Sequence, residues 1–481
     1  MAELLKLTGD PLALVAHYRQ ARDFRTLPWP SSDLIYPMGR GEDIVSFQDA
    51  FNAVRRNYKP YIGVLPGQHV MSALKDNGAF FGGPVTFIPM EPDGELPIFN
   101  TAVTSAKEWF DRYDQKGFFH VYGPEQSIGF LGLHFLNFPH MQYWYGHRVV
   151  VSDCLIDNCY ADWIYGGKGP DVPEVIVVNS EYQTIHNWTR EYAGIQEPKK
   201  GGSGPLYISA DGQGYVAPFF LFMRNYVRHV TGAVHISAED GGVVRNGYIM
   251  NNLFFNAAIG TSIEGNAEKL MVANNAFLYP REGPESIMSH CENFWDISGG
   301  TDWLSWGTED SIYQNNYVAS GVANRRHLWM SAATKEKLRS NIARGNVIDY
   351  APGAYACYGV GPTGGSVLDK KLLLGRDIIP FYDSSNTLRT NPIERELSDL
   401  NWIDVEAFMA LRLAEYPGVG PDVTELGRCH QWNPDGGTPP GGNGGETPPI
   451  TDLKERLIAI EQAIKDVPRE TVRLLADWYK R

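Results

Sequence analysis

The feature that most constrains this chain is a repeat. Seven segments (VVVSDCLIDN, VIVVNSEYQT, LFMRNYVRHV, YIMNNLFFNA, LMVANNAFLY, SIYQNNYVAS and NIARGNVIDY) each set an Asn or Asp between two apolar or alternating runs. The marker residues are Asp153, Asn179, Asn225, Asn252, Asn275, Asn316 and Asn346, separated by 26, 46, 27, 23, 41 and 30 residues. A unit of about 23 to 30 residues is the length of one turn of a right-handed parallel β-helix, whose coils bury a core only by stacking. Asn suits a fixed place in each coil because it tolerates a left-handed corner and its amide can bond to the Asn one coil away. Eleven residues after the marker stand Ile164, Ile236, Ile263 and Cys357, which predicts that this position faces the core. After Asn179, Asn275 and Asn316 the same count reaches Arg190, Ser286 and His327, so the alignment of those coils stays open.

Composition agrees with turn-rich β structure: 50 Gly and 31 Pro in 481 residues, with only 20% charged. The 42 basic and 56 acidic residues leave a net charge of −14, which argues against a duplex nucleic-acid surface. Five scattered cysteines without C-x-x-C spacing support neither a disulfide framework nor a zinc site. No apolar run approaches the roughly 20 residues of a spanning helix, so no membrane insertion is expected. The N-terminus lacks the charged head, apolar centre and cleavage site of a secretory signal, and synthesis in the cytoplasm is expected.

The remaining chain frames the repeats. Residues 1–40 read as a lead-in or docking segment, with amphipathic LALVAHYRQARDF before turn-rich LPWPSSDLIYPMGRG. Val45, Phe47, Ala50, Phe51 and Val54 then follow largely helical spacing, and YIGVLPGQHV alternates like a strand. A helix leading into a strand in this way closes the open end of a stack, which would otherwise be an unpaired edge. The body is expected over 41–432, with insertions near 190–214 and 281–310. Residues 433–449, NPDGGTPPGGNGGETPP, form a Gly/Pro-rich linker. Beyond it, Ile450, Leu453, Leu457, Ile460, Ile464 and Val467 trace a heptad seam over 450–481. Mixed β-branched and Leu residues along that seam predict a homotrimer, while a single helix docked on the body fits as well.

Chemistry is sought on the outward strip of the coils. Ten and twelve residues past the markers lie Trp163 and Tyr165, Thr189 and Glu191, His235 and Ser237, Ser262 and Glu264, and Ala356 and Tyr358. This count aligns Glu191, Ser237 and Glu264 in one column, with His235 diagonal to Glu264 and with Glu239 and Asp240 in the adjoining turn. Paired carboxylates about 5 to 9.5 Å apart perform acid and base work on a glycosidic bond, and His235 suits a proton shuttle. Glu239, Asp240, Glu264, His235 and Glu191 are therefore the catalytic candidates. Trp295, Trp303 and Trp306 among acidic neighbours, together with Tyr165, are candidates to stack on sugar rings. The bland reading is that these groups solvate a sheet and pin an insertion. Phosphate-binding loops, G-x-S-x-G and H-E-x-x-H are absent, and no metal or cofactor is expected.

EDIVSFQDAFNAV followed by YIGVLPGQHV resembles the pectate-lyase-like β-helix opening of bacteriophage tailspikes and polysaccharide depolymerases. Gln48, Ala50, Ala53, Leu65, Pro66 and Gly67 match that pattern, and His69 replaces its usual aromatic residue. The resemblance implies a parallel β-helix in a virion appendage that binds, and as an enzyme would hydrolyse or eliminate, host surface polysaccharide. It also implies contacts to other virion proteins through the N-terminal segment or C-terminal helix. The rival readings are a non-catalytic attachment or decoration protein and a secreted pectate-lyase-like enzyme.

Overall fold

The computed structural model describes residues 32–427 except 40, 43, 58, 60, 71–78, 81–84, 92–94, 103–107, 109–120, 123–126, 144–146, 167–171, 173, 184, 187–203, 239, 280–300, 321–325, 333, 351–354, 361–367, 373–381 and 390–401. The chain separates into two units, 1–433 and 434–481. The expected linker over 433–449 and heptad helix over 450–481 lie outside the described residues, as does the lead-in up to residue 31.

The first unit is a right-handed parallel β-helix, the hand that twisted strands with crossovers back to one sheet adopt. One sheet has 11 strands, from Ile35–Met38 to Ile342–Arg344, whose spatial order is their chain order. A second sheet of 21 strands carries the rest of each coil, including the long strands Tyr226–Ala238 and Leu253–Glu268. The named strand pairings are parallel, except that Tyr355–Val360 pairs antiparallel with Leu368–Leu372. Alternation selects the core: in Arg148–Ser152, Val149 and Val151 join the interior. Aromatic rings stack there coil upon coil, Phe87 on Phe130 at 5.3 Å and Phe254 on Phe277 at 4.9 Å.

The helix expected near residue 45 starts at Phe47 and runs to Asn57. Ser46 Oγ accepts from the backbone N of Asp49 at 3.1 Å, an N-cap that fixes the start at Phe47 and leaves Val45 outside the helix and 56% exposed. Phe47 lies 5.3 Å from Phe87 and 4.9 Å from Phe99, and Phe51 lies 6.0 Å from Phe87, so the buried face of this helix continues the aromatic core.

The corner Asn residues do divided work. At the corners of these seven segments the left-handed residues are Asp153, Asn179, Arg224, Asn251, Asn274, Asn315 and Gly345, with φ between 52° and 64°. The residue after each one faces the corner's interior: Cys154, Ser180, Asn225, Asn252, Asn275, Asn316 and Asn346. Asp153 and Asn179 are therefore left-handed residues and not ladder members, which corrects the marker alignment by one residue in those two coils. From Asn225 through Asn252, Asn275, Asn316 and Asn346 to Asn386, each Nδ2 donates to the next Oδ1 at 2.8 to 3.1 Å. The backbone N of each donates to the same oxygen at 2.9 to 3.0 Å. Below the ladder, Ser180 N donates to Asn225 Oδ1 at 2.9 Å and Cys154 N to Ser180 Oγ at 3.2 Å. A row of buried amides is tolerated only because each finds partners in this way. Asn386, outside the seven segments, ends the row.

Two expected insertions shrink. Leu206–Ser209 and Thr301–Glu309 are coil strands, paired in register with Ile164–Gly166 and Ile259–Glu264. A helix that the repeat does not announce, Trp402–Glu415, packs Val405, Phe408 and Met409 on Tyr226, Leu253, Ala276, Tyr317 and Val347 of the second sheet.

Candidate functional site

The outward strip is built by register. Tyr207, His235, Ser262, Leu304, Trp329 and Cys357 form one column, and Ser209, Ser237, Glu264, Trp306 and Ser331 form another two residues along. Between them runs the column of Ile208, Ile236 and Ile263, which belongs to the core. The expected neighbours Ser237 and Glu264 are therefore partners in adjacent coils, and His235 stands in the next outward column.

The position below Ser237 belongs to Ser209, not Glu191, because the strand Leu206–Ser209 completes that coil. Glu191, Glu239 and Trp295 lie outside the described residues. Asp240 is an exposed turn residue with φ 53°, after the strand that carries Ser237. Tyr165 pairs with Tyr207 and so falls in the His235 column, not that of Glu264. The marker was one residue early there, and the pairing of Cys159–Gly166 passes from Ile185–His186 to Leu206–Ile208, absorbing one more residue. Trp163, expected outward, is fully buried, with its ring 5.2 Å from that of Phe135 and 6.0 Å from that of Tyr182. Cys357, expected at a core position, pairs with Trp329 of the outward column after a register shift between Arg326 and Leu328.

Trp303 and Trp306 do not share a strip. Trp303 takes the register of Val234 and Thr261, the former a core residue, and Trp306 that of Glu264. By register Trp306 shares the Glu264 column and Trp303 does not.

The residue missed by sequence reasoning is Asp211. It follows the strand that completes the Ser209 coil, and its carboxylate joins two coils: Ser209 Oγ donates to Oδ2 at 2.8 Å and Ser237 Oγ to Oδ1 at 2.7 Å. Alongside, the Tyr207 ring lies 4.4 Å from the His235 ring. Asp211 and Tyr207 are half-buried, whereas Ser209 and Ser237 are 0% and 3% exposed. The signal in the sequence is the run LYISADG, a short strand followed by a turn, hidden because it closes a long insertion. Among the described residues no group of three or more His, Cys, Asp or Glu side chains converges as a metal-ligand set.

No protein-family model and no curated protein matches the chain. Among solved structures it is similar to a rhamnogalacturonan lyase (11% identity, 65% of this chain and 87% of that one, TM-score 0.32). It is also similar to YbhC of Escherichia coli (11% identity, 75% and 86%, TM-score 0.27). A third similar structure is tailspike protein 3 of bacteriophage CBA120 (11% identity, 67% and 58%, TM-score 0.20). At these values the strand register, not the likeness, carries the assignment of the site.

Proposed function

We propose that the protein binds a surface polysaccharide along this outward strip and cleaves it, in the manner of a tailspike depolymerase. The observation that carries the reading is Asp211, a half-buried carboxylate fixed by serines of two adjacent coils, its own coil two below that of Glu264. Coils rise about 4.8 Å, so carboxylates one or two coils apart fall in the range of about 5 to 9.5 Å used for glycosidic cleavage. Asp211 and Glu264 are assigned the acid and base roles, His235 the proton shuttle, and Trp306 the stacking position. Glu239, Asp240 and Glu191 stay candidates, with Tyr165 in the Tyr207 column. The finer proposal is a virion appendage, trimeric through 450–481 and attached through residues 1–40 or its C-terminal helix.

A second reading follows from the near-complete burial of Ser209 and Ser237. Their hydroxyls then serve as a clamp between coils, and the protein is a non-catalytic attachment or decoration subunit. Mixing the purified protein with capsular and lipopolysaccharide glycans separates the two. New reducing ends or ultraviolet-absorbing products support cleavage and distinguish hydrolysis from elimination. Retained glycan without products supports attachment, and cleavage unchanged by both Asp211→Asn and Glu264→Gln refutes the assigned residues. A light-scattering mass of one chain refutes the trimer.

A further inference from the structure

Three places among the described residues join Asp or Asn to a following glycine: Asp211–Gly212, Asp240–Gly241 and Asn246–Gly247. Such a pair is open to an internal reaction, because a glycine has no Cβ to hinder the approach of its backbone N to the side-chain Cγ of the residue before it. How firmly the fold holds the two groups decides whether they meet.

Two of the three pairs are held. Both carboxylate oxygens of Asp211 accept serine hydroxyls, from Ser209 at 2.8 Å and Ser237 at 2.7 Å, and Gly212 O accepts from Tyr215 N at 3.1 Å. Asn246 Nδ2 donates to Pro218 O at 3.2 Å and Asn246 N to Glu268 O at 3.2 Å. Gly247 opens the strand Gly247–Met250, which pairs in parallel with Phe220–Met223. In either pair Cγ is freed to reach the glycine N only when these bonds break, which takes a local opening of the coil.

Asp240–Gly241 is not held in this way. It lies in the exposed turn between the strands Tyr226–Ala238 and Val243–Arg245, with φ 53° at Asp240 and 91° at Gly241, the succession of positive values found in a primed turn. Among the described residues no group hydrogen-bonds the Asp240 carboxylate or the Gly241 N–H. The bond that ties this turn to the next coil is made beyond them, where Gly241 O accepts from Gly214 N at 3.3 Å.

We propose that Asp240–Gly241 is a modification site at which the chain isomerises itself to isoaspartate. The Gly241 N gives up its proton and attacks Asp240 Cγ; the N–Cγ bond forms, and the carboxyl OH leaves with that proton as water, closing a succinimide. Water then adds at the Asp240 carbonyl carbon and breaks its bond to the Gly241 N. The backbone now passes through Cβ and Cγ, and the carboxylate stands on Cα. The water lost in the first step is regained in the second, and neither oxidant nor cofactor is needed. The turn gains one backbone carbon just after the strand that carries Ser237, and the Asp240 carboxylate draws back toward the main chain. The turn therefore ages while Asp211 and its two serines do not, whether or not the strip cleaves a glycan.

The full chain is incubated folded in neutral buffer and, in parallel, unfolded in urea, then digested and read by electron-transfer peptide mass spectrometry, which tells isoaspartate from aspartate. In the folded chain isoaspartate should form at Asp240 at least about tenfold faster than at Asp211, and in urea the two rates should be comparable, because the dipeptides are the same. Equal rates in the folded chain, or modification of Asp240 in urea alone, overturn the proposal. Asp240→Asn supplies a second reading, since asparagine suits the left-handed position and the same ring closure then releases ammonia. The introduced amide should be lost at least about tenfold faster than that of Asn246 in the same molecule. A rate no greater than that of Asn246 means that the turn does not permit ring closure, and the proposal fails.

Discussion

Replacing Asn275 by Leu tests the idea that the corner row, and not the apolar core alone, holds the coils in register. Asn275 Oδ1 accepts from Asn252 N at 3.0 Å and from Asn252 Nδ2 at 2.9 Å, while its own Nδ2 donates to Ile249 O at 2.9 Å and Asn316 Oδ1 at 3.0 Å. Leucine keeps the branched outline, with bulkier methyl groups in place of the amide oxygen and nitrogen, but offers neither acceptor nor donor. It strands one backbone N–H and one amide hydrogen of Asn252 in a place where Asn252 and Asn275 are both fully buried. At about 1–3 kcal/mol per stranded buried group, the expected loss is about 4 kcal/mol once the altered carbonyl of Ile249 is included. Asn386 ends the same row half-buried, accepting from Asn346 N at 3.0 Å and Asn346 Nδ2 at 2.8 Å. Water can substitute there, and Asn386→Ala should cost about 1 kcal/mol. Urea unfolding followed by far-ultraviolet circular dichroism reads both, with the slope checked for constancy so that midpoints are comparable. If Asn275→Leu shifts the midpoint no more than Asn386→Ala, buried hydrogen-bond loss does not govern the corner and the reasoning fails.

Other expectations follow from the same geometry. His134 has its pKa lowered to about 4 from 6.5, mainly by burial, against an opposing pull from Glu181. The unfolded chain therefore binds the proton more readily. This contribution, about 3 kcal/mol, is present above pH 6.5 and lost as pH falls toward 4, and His134→Gln should flatten that part of the stability profile. A stability slope identical in the variant would show that another group governs acid sensitivity. Gly307 has φ +101° and a Cβ there would lie 2.2 Å from Gly265 O, whereas Gly418, φ +80°, meets nothing within 4 Å. Gly307→Ala should cost at least about 2 kcal/mol more than Gly418→Ala, and similar melting temperatures would contradict the close approach. Asp211→Asn should lower any measured cleavage by at least about 100-fold with glycan retention changed far less, and parallel losses in both would make Asp211 a binding or structural group instead.

Much of the fold was legible because a solenoid writes its period into the chain. Asn225, Asn252, Asn275, Asn316 and Asn346 recur because every coil must satisfy the same buried corner, and a local demand repeated five times is visible without coordinates. Ser180 and Cys154 meet that demand with other side chains, so the pattern slipped by one residue where the amide row ends. The pairing of Ser237 with Glu264 followed from counting along two regular coils. Asp211 escaped the count because its coil is interrupted by a long insertion, and periodicity cannot be carried across a segment of arbitrary length.

The linear order of apolar and Asn residues determined that this chain coils, about how long each coil is, and which residues line the corners, since these depend on local backbone preference and a period of fixed length. Tertiary structure alone decided that Trp163 is core, that Trp303 and Trp306 fall in different register columns, that Asp211 joins two coils, and that a distant helix covers Tyr317. Each of those outcomes turns on strand register across insertions or on contacts between residues far apart in the chain. A one-residue slip reverses the side of every residue that follows, so only the assembled sheet can settle it.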